Sequence, residues 1–430
     1  MMKEGKVLVL SGVKGDTQRY RSFHTYEQLR LAGIDCSLSH ITDRLLPQLI
    51  DQAGLVIFHR VVFDSYVDRL IRRIRERNAF LLVDIDDLIF LPEAFQWIDS
   101  PDFADPIRAR LYQEDMRRLR KTLDYADGVL ASTNFLAEKI RSFDKPTWIH
   151  RNAFNLVMLE RSELAFSQHI PDRDRIVIGY ASGTATHNRD FALVKPVLQM
   201  CLQKYPQTEL WLVGPLDVGN GWTEFSGRIK QFSLVPWREL PFLQAKFSIN
   251  LAPLVLDNPF SNSKSEIKFV EAGLVRVPTV ASCSDSYSFA IRSGENGFLA
   301  SNESEWMDAL QRLIENKDYR QSVGERAYQD IFQQYHPSVR AQDLLVTLRQ
   351  IFETLPSQNG SFSIKLDPDK KPLSEKTSQE IWAKIGEVEQ HPTLVDLAYY
   401  SFKHRGLTTL LKRVWIFLRR LTIPIYKETR

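Results

Sequence analysis

Two lysines and a glutamate, Lys264, Lys268 and Glu271, fall within eight residues of one another in the run 262–278. Their spacing of four and then three predicts one face of a helix. N–H groups at the start of a helix are unpaired and its dipole is positive there, so lysines beside that end suit a phosphate or diphosphate. A carboxylate one turn further on can accept hydrogen bonds from a sugar diol. The same side chains could instead form a solvated face with i,i+4 pairing. Ile267, Phe269, Val270 and Leu274 give the helix an apolar side as well, which favours a packed, positioned element.

Other candidates share a setting, just past an apolar run. Asp84, Asp86 and Asp87 follow residues 80–83. Such carboxylates could hold a divalent cation through oxygen ligands, contact a sugar or acceptor, or cap a turn. Arg19 and Arg21 lie between the first apolar run and the first helical pattern, where a basic loop can meet a phosphate or an acidic acceptor, or simply be solvated. Gly183, Thr184 and His187 follow the run 176–182. Gly179 and Gly183 permit a tight turn, and His187 could be a surface residue.

The elements that must position these residues are alternating strands and helices. Strands are expected at 6–10, 55–58, 80–83 and 128–131, with helices at 20–32 and 65–77, and residues 148–152 lead out. The pattern restarts with strands at 176–182, 209–214, 247–253 and 278–282 and a helix at 191–204. Alternation of this kind predicts an α/β fold of two doubly wound, Rossmann-like units. Ligands of such sheets bind beyond the carboxyl ends of the strands, which places the site in a cleft between the units. The expected division is 1–160 for the first unit and 170–355 for the second, joined near 155–172. A linker at 356–372 and a helical basic tail at 373–430 follow.

A chain of 430 residues exceeds one core, and 43% hydrophobic with 25% charged residues is a globular composition. Three scattered cysteines give neither metal-ligand spacing nor an even disulfide set, so a reducing, cytoplasmic compartment is expected. The apolar stretch at 7–10 is too short for a signal peptide, and no segment approaches the length of a transmembrane helix. The net charge of +3 is uneven: residues 401–430 carry eight Lys or Arg and one Glu, a local +7 that leaves −4 for the rest. The basic pI therefore gives no reason to expect nucleic acid as a partner.

The tail pattern is amphipathic. Leu407, Leu410, Leu411, Val414, Leu418 and Leu421 share a helical face, Lys412, Arg413, Arg419 and Arg420 oppose it, and Trp415 and Phe417 flank it. An anionic membrane surface is the expected partner, with docking on the protein's own body as the other reading. Ile416 interrupts the basic face.

The order of motifs over roughly residues 5–350 resembles the GT-B glycosyltransferases, in particular the retaining enzymes of glycosyltransferase family 4. The resemblance rests on 15–21 after the first strand, 83–90, 126–133 with a Ser or Thr to cap the next helix, the loop 178–187, the segment 235–241 and the 262–278 run. It implies transfer of a sugar from a nucleotide-diphosphate donor to a polysaccharide, glycolipid or related acceptor, without a resident cofactor or a required metal. It implies donor contacts from Gly183, Thr184, His187, Lys264, Lys268 and Glu271, and acceptor contacts from Arg19, Arg21 and Asp84. Two departures stand out. The family's first glutamate, separated by seven residues from the one matched by Glu271, is Ser263 here, which moves its expected sugar contact to Glu266. The family's His-Asp pair is replaced by Asp86 and Asp87, expected with Glu266 at the reacting centre. A nucleotide-sugar epimerase of the same fold, and a non-catalytic scaffold at the inner face of the membrane, are the alternatives.

Overall fold

The computed structural model describes residues 3–4, 6–170, 175–355, 362–363 and 375–422. Six parallel strands build the first sheet: β1 (Lys6–Ser11), β2 (Cys36–His40), β3 (Ala53–His59), β4 (Phe80–Ile85), β5 (Gly128–Ala131) and β6 (Thr147–Ile149), in the order β2-β1-β3-β4-β5-β6. Successive side chains point to opposite faces, and here both faces are covered. Leu8, Leu10, Val56, Phe58, Leu81 and Val83 enter one core, while Val7, Val9, Leu55, Ile57 and Leu82 enter the other. That is why these strands read as unbroken apolar runs.

The second sheet is also parallel and six-stranded: β7 (Ile176–Ala181), β8 (Thr208–Val213), β9 (Ile229–Phe232), β10 (Ile249–Ala252), β11 (Thr279–Ser282) and β12 (Phe298–Ala300), ordered β9-β8-β7-β10-β11-β12. In both sheets the strand order reverses beside the first strand of the unit, and ligands favour the crevice at such a switch point.

Three expectations about domain limits need correction. The expected junction near 155–172 is mostly a helix, Leu156–Gln168, capped by the Asn155 side chain accepting from the Met158 N–H at 2.6 Å. Its Met158 and Ala165 are buried in second-unit cores. The helix Pro337–Thr354, expected in the second unit, crosses back and buries Leu344, Leu348 and Ile351 with Val7, Val9 and Phe23 of the first. The tail does not stand apart either: the helix Glu375–Gln390 adds Ile381, Ile385 and Val388 to that core.

Two further helices, Leu394–Arg405 and Leu407–Thr422, form a hairpin against the first unit. Arg405 and Arg413 reach Asp115 at 3.8 and 2.9 Å, Arg405 also reaches Asp64 at 3.3 Å, and the Tyr400 hydroxyl donates to Asp64 at 2.9 Å. Arg413 of the last helix is thus turned to the body, and Leu407 and Leu411 are 55% and 58% exposed. The side chains of Arg419, Arg420 and Leu421, the residues from 423 on, and nearly all of the expected linker 356–372 lie outside the described residues. Among the described residues no helix is long and apolar enough to cross a membrane.

Candidate active site

β7 ends at Ala181, and the loop 182–184 leads through the turn Ala185–His187 into the helix Asn188–Lys204. Gly214, just past β8, has φ +95°, and a Cβ there would lie 1.9 Å from the Ser182 carbonyl oxygen. Only glycine lets the two strand ends approach so closely. His187 Nδ1 lies 2.8 Å from Asp190 Oδ2, while Asp190 Oδ1 accepts from the Val255 N–H at 2.9 Å and the Ser261 hydroxyl at 3.2 Å. Burial lowers the His187 pKa against the raising effect of that Asp190 hydrogen bond. The pair ties the first loop of the unit to the one after β10.

The helix bearing Lys268 and Glu271 runs from Ile267 to Leu274. Lys264 is therefore not on it, contrary to the one-face reading. A short helix, Pro259–Asn262, capped by Asn258, ends just before, and Lys264 occupies the turn between. Lys268 Nζ donates to the Ala181 carbonyl, and Glu271 accepts from the Tyr20 hydroxyl. Burial lowers the Lys268 pKa, opposed by Glu271, and raises the Glu271 pKa, opposed by Arg19.

The opposite wall comes from the first unit. A single π-helical turn, Arg19–Phe23, follows β1, a local irregularity that often accompanies a functional site. The Arg19 guanidinium lies 4.0 Å from the Tyr20 ring centre and 4.8 Å from that of Trp237. Arg60, just past β3, has a left-handed φ of 50° and grips Asp86 through two bonds of 2.7 and 2.9 Å. Burial works against ionisation of Asp86, but Arg60 and His59 outweigh it and hold the carboxyl well below the usual carboxylate range. Asp87 turns the other way. Its carboxylate accepts from the Ser263 hydroxyl at 3.0 Å and the Lys264 ammonium at 2.9 Å, both in the second unit. Asn152 adds another contact between the units, donating to the Ser265 hydroxyl at 2.8 Å.

These groups line a cleft cavity of about 230 Å³. Nine of the expected site residues are on its walls: Arg19, Asp86, Asp87, Gly183, Thr184, His187, Lys264, Lys268 and Glu271. Arg21, Asp84 and Glu266 are not, and each is spent on an internal partner. Arg21 Nε meets Asp84 at 2.8 Å with both side chains fully buried, and its Nη1 donates to the His150 carbonyl and Asn152. An acceptor cannot reach that pair. Glu266 accepts from the Tyr335 hydroxyl at 2.7 Å and lies 3.6 Å from Arg151. The side chain facing Ser263 is Asp87, so Glu266 does not supply the carboxylate missing at 263.

The three aspartates of 84–87 diverge onto Arg21, Arg60 and Lys264, so they do not converge on one point. Among the described residues no group of three or more His, Cys, Asp or Glu is arranged to hold a metal ion. Reading the sequence missed Tyr20, Arg60 and Trp237. Arg60 had a usable signal, since it directly follows an apolar strand. A larger hollow of about 640 Å³ opens at the amino end of the second sheet, around Val177, Phe247 and Pro278, and contains none of these residues.

Comparison with known proteins agrees with this architecture. Residues 197–346 match a family model described as glycosyl transferase-like. Comparison with curated proteins gives no match. Among solved structures, sucrose-phosphate synthase from Thermosynechococcus elongatus is 14% identical, with a TM-score of 0.55, over 81% of this chain and 99% of that one. Anabaena Alr3699/HepE in complex with UDP is 14% identical, with a TM-score of 0.53, over 80% and 100%. A glycosyltransferase from Rickettsia africae is 12% identical, with a TM-score of 0.55, over 81% and 99%. At these identities the likeness establishes the fold: two Rossmann-like units facing a cleft, the GT-B arrangement, with a helical C-terminal extension.

Proposed function

We propose that the chain is a glycosyltransferase of the family 4 type, moving a sugar from a nucleoside-diphosphate donor to a glycan or lipid-linked acceptor with retention of configuration. The observation that carries this reading is the half-buried pair Lys268 and Glu271, one turn apart on a cleft-facing helix, with Lys264 beside them. In this reading Glu271 exchanges its Tyr20 partner for the ribose hydroxyls, and Lys268 exchanges the Ala181 carbonyl for a phosphate oxygen. The acceptor hydroxyl bonds to the anomeric carbon as that carbon's bond to the diphosphate oxygen breaks. The nucleoside diphosphate leaves with the electron pair and takes up the hydroxyl proton. Charge developing on its oxygens meets Lys264, Lys268 and the N–H groups near Gly183 and Thr184, donors aimed at the place where that charge forms. Asp87 and Asp86, from the first unit, face the transferred sugar. Arg19 lies between the Tyr20 and Trp237 rings on the first-unit wall of the cleft, and closure of the units excludes water.

One neighbour, Anabaena Alr3699/HepE, was solved with UDP and with UDP-glucose, which makes UDP the first probe. Calorimetry with UDP, GDP, ADP and dTDP is expected to find one tight ligand. Glu271→Ala and Lys268→Ala are each expected to weaken it by about tenfold or more, the loss of a charge-assisted hydrogen bond. Unchanged affinity in both variants would remove the donor site from this helix. Assay of products then separates transfer, which needs an acceptor, from epimerisation, which does not.

The outward Leu407 and Leu411 and the basic composition of 401–430 support a place for the enzyme on an anionic membrane surface at the cytoplasmic side.

A further inference from the structure

The helix Glu375–Gln390 touches both units. One side is fixed, with Ile381, Ile385 and Val388 buried in the core of the first unit. From elsewhere on the helix, Glu389 reaches the segment after β9 in the second unit. Its Oε1 accepts from the Trp237 indole N–H at 3.3 Å, and its Oε2 accepts from Arg238 at 3.1 Å. Trp382 packs its ring 6.0 Å from that of Trp237, while its own N–H donates to Glu27 of the first unit at 2.8 Å. Trp237 in turn lines the cleft, against the Arg19 guanidinium.

We propose that this extension helix is a clasp. Glu389 and Trp382 act as positioning residues that hold Trp237 as the wall of the donor pocket and couple its placement to closure of the two units. The proposal rests on the donor reading above for what Trp237 faces, while the clasp itself rests on the contacts just described. An aromatic wall suits the flat base of a nucleotide, and an indole held by a hydrogen bond at its N–H cannot rotate out of the pocket without breaking that bond. Arg238 and Glu389 are 41% and 36% exposed, so their pair is screened and weak. That weakness lets the clasp open and close, as a tight buried pair would not.

The test uses the full chain with Glu389→Ala, Glu389→Gln and a control, Lys384→Ala, whose side chain contacts Glu387 on the same helix. Two readouts are taken: amide hydrogen exchange over 233–245, and UDP affinity by calorimetry. Glu389→Ala is expected to speed exchange in that segment and to weaken UDP about fivefold, of the order a half-exposed charge pair supplies. Glu389→Gln, which keeps an acceptor for the indole, is expected to recover most of both. Lys384→Ala and the thermal midpoint are expected to stay at the wild-type values. Wild-type exchange in Glu389→Ala would overturn the clasp. Faster exchange with unchanged UDP affinity would overturn its role in the pocket. Failure of wild-type protein to bind any nucleotide would overturn the donor reading instead, and the exchange data would still decide whether the clasp exists.

Discussion

Lys268 and Glu271 are three residues apart and both are half-buried, so each holds its charge against desolvation with help from the other. Glu27 shows what happens without a cation. It lies in the first-unit interior, with Oε1 accepting from Trp382 and the Leu156 N–H at 2.8 and 3.2 Å, while Oε2 has no partner among the described residues. Burial raises its pKa to about 7, over the opposing effect of those donors. The folded protein then binds a proton that the unfolded chain has already released. Stability should fall as pH rises from the ordinary glutamate value toward about 7, by on the order of 3 kcal/mol, and level off above it. Urea denaturation of Glu27→Gln should lose that slope, and an unchanged slope would place it on other groups. Residue type alone could not separate Arg19 from Arg21, or Asp84 from Asp86. Two positions on a tight helical turn point to nearly opposite sides, so Arg19 meets the cleft and Arg21 the core. Asp84 is still inside β4, whereas Asp86 and Asp87 lie past its carboxyl end. Of the three expected residues that lie off the cleft, Asp84 falls within a strand, Arg21 on the inner side of the turn Arg19–Phe23, and Glu266 at the buried start of the helix Ile267–Leu274.

Elements with continuous apolar runs were legible. The strands at 6–10 and 128–131 were placed within a residue. β2 was missed because Cys36–His40 alternates Ser with its neighbours, and β9 because it is a half-exposed edge strand. The sequence also could not say which side of the last tail helix would meet the body. Arg413 binds Asp115 while Leu407, Leu411 and Leu418 face outward, the reverse of ordinary core packing. Burying such a leucine is worth about 1.5–3 kcal/mol, enough with several side chains to bring a protein to a bilayer. Co-sedimentation of the full chain with vesicles of mixed anionic lipid is therefore expected. It should drop severalfold in Leu407→Asp with Leu411→Asp, and should be weak on neutral vesicles. Equal sedimentation of wild type and variant would leave the leucine face without this role.

At the scale of the molecule, two contacts that join the units, Asp87 to Lys264 and Tyr20 to Glu271, use side chains that the reading proposed above gives to the donor. On that reading, donor binding exchanges partners across the cleft rather than filling an idle space. The wide separation in sequence of the groups that meet there explains why only the resemblance, and not periodicity, could bring them together in advance.

The crossing of Pro337–Thr354 and Glu375–Gln390 back onto β1 and β2 also fixes an order of events during synthesis. Val7, Val9 and Phe23 leave the ribosome early, yet the leucines and isoleucines that cover them come more than 300 residues later. The first unit to be made is the last to be finished, and until then it carries an open apolar face. A fragment ending at residue 336 should accordingly bind a hydrophobic dye and aggregate. Adding back 337–390 on the same chain should suppress both, whereas a clean monomeric 1–336 would mean that the early unit closes without its late partner.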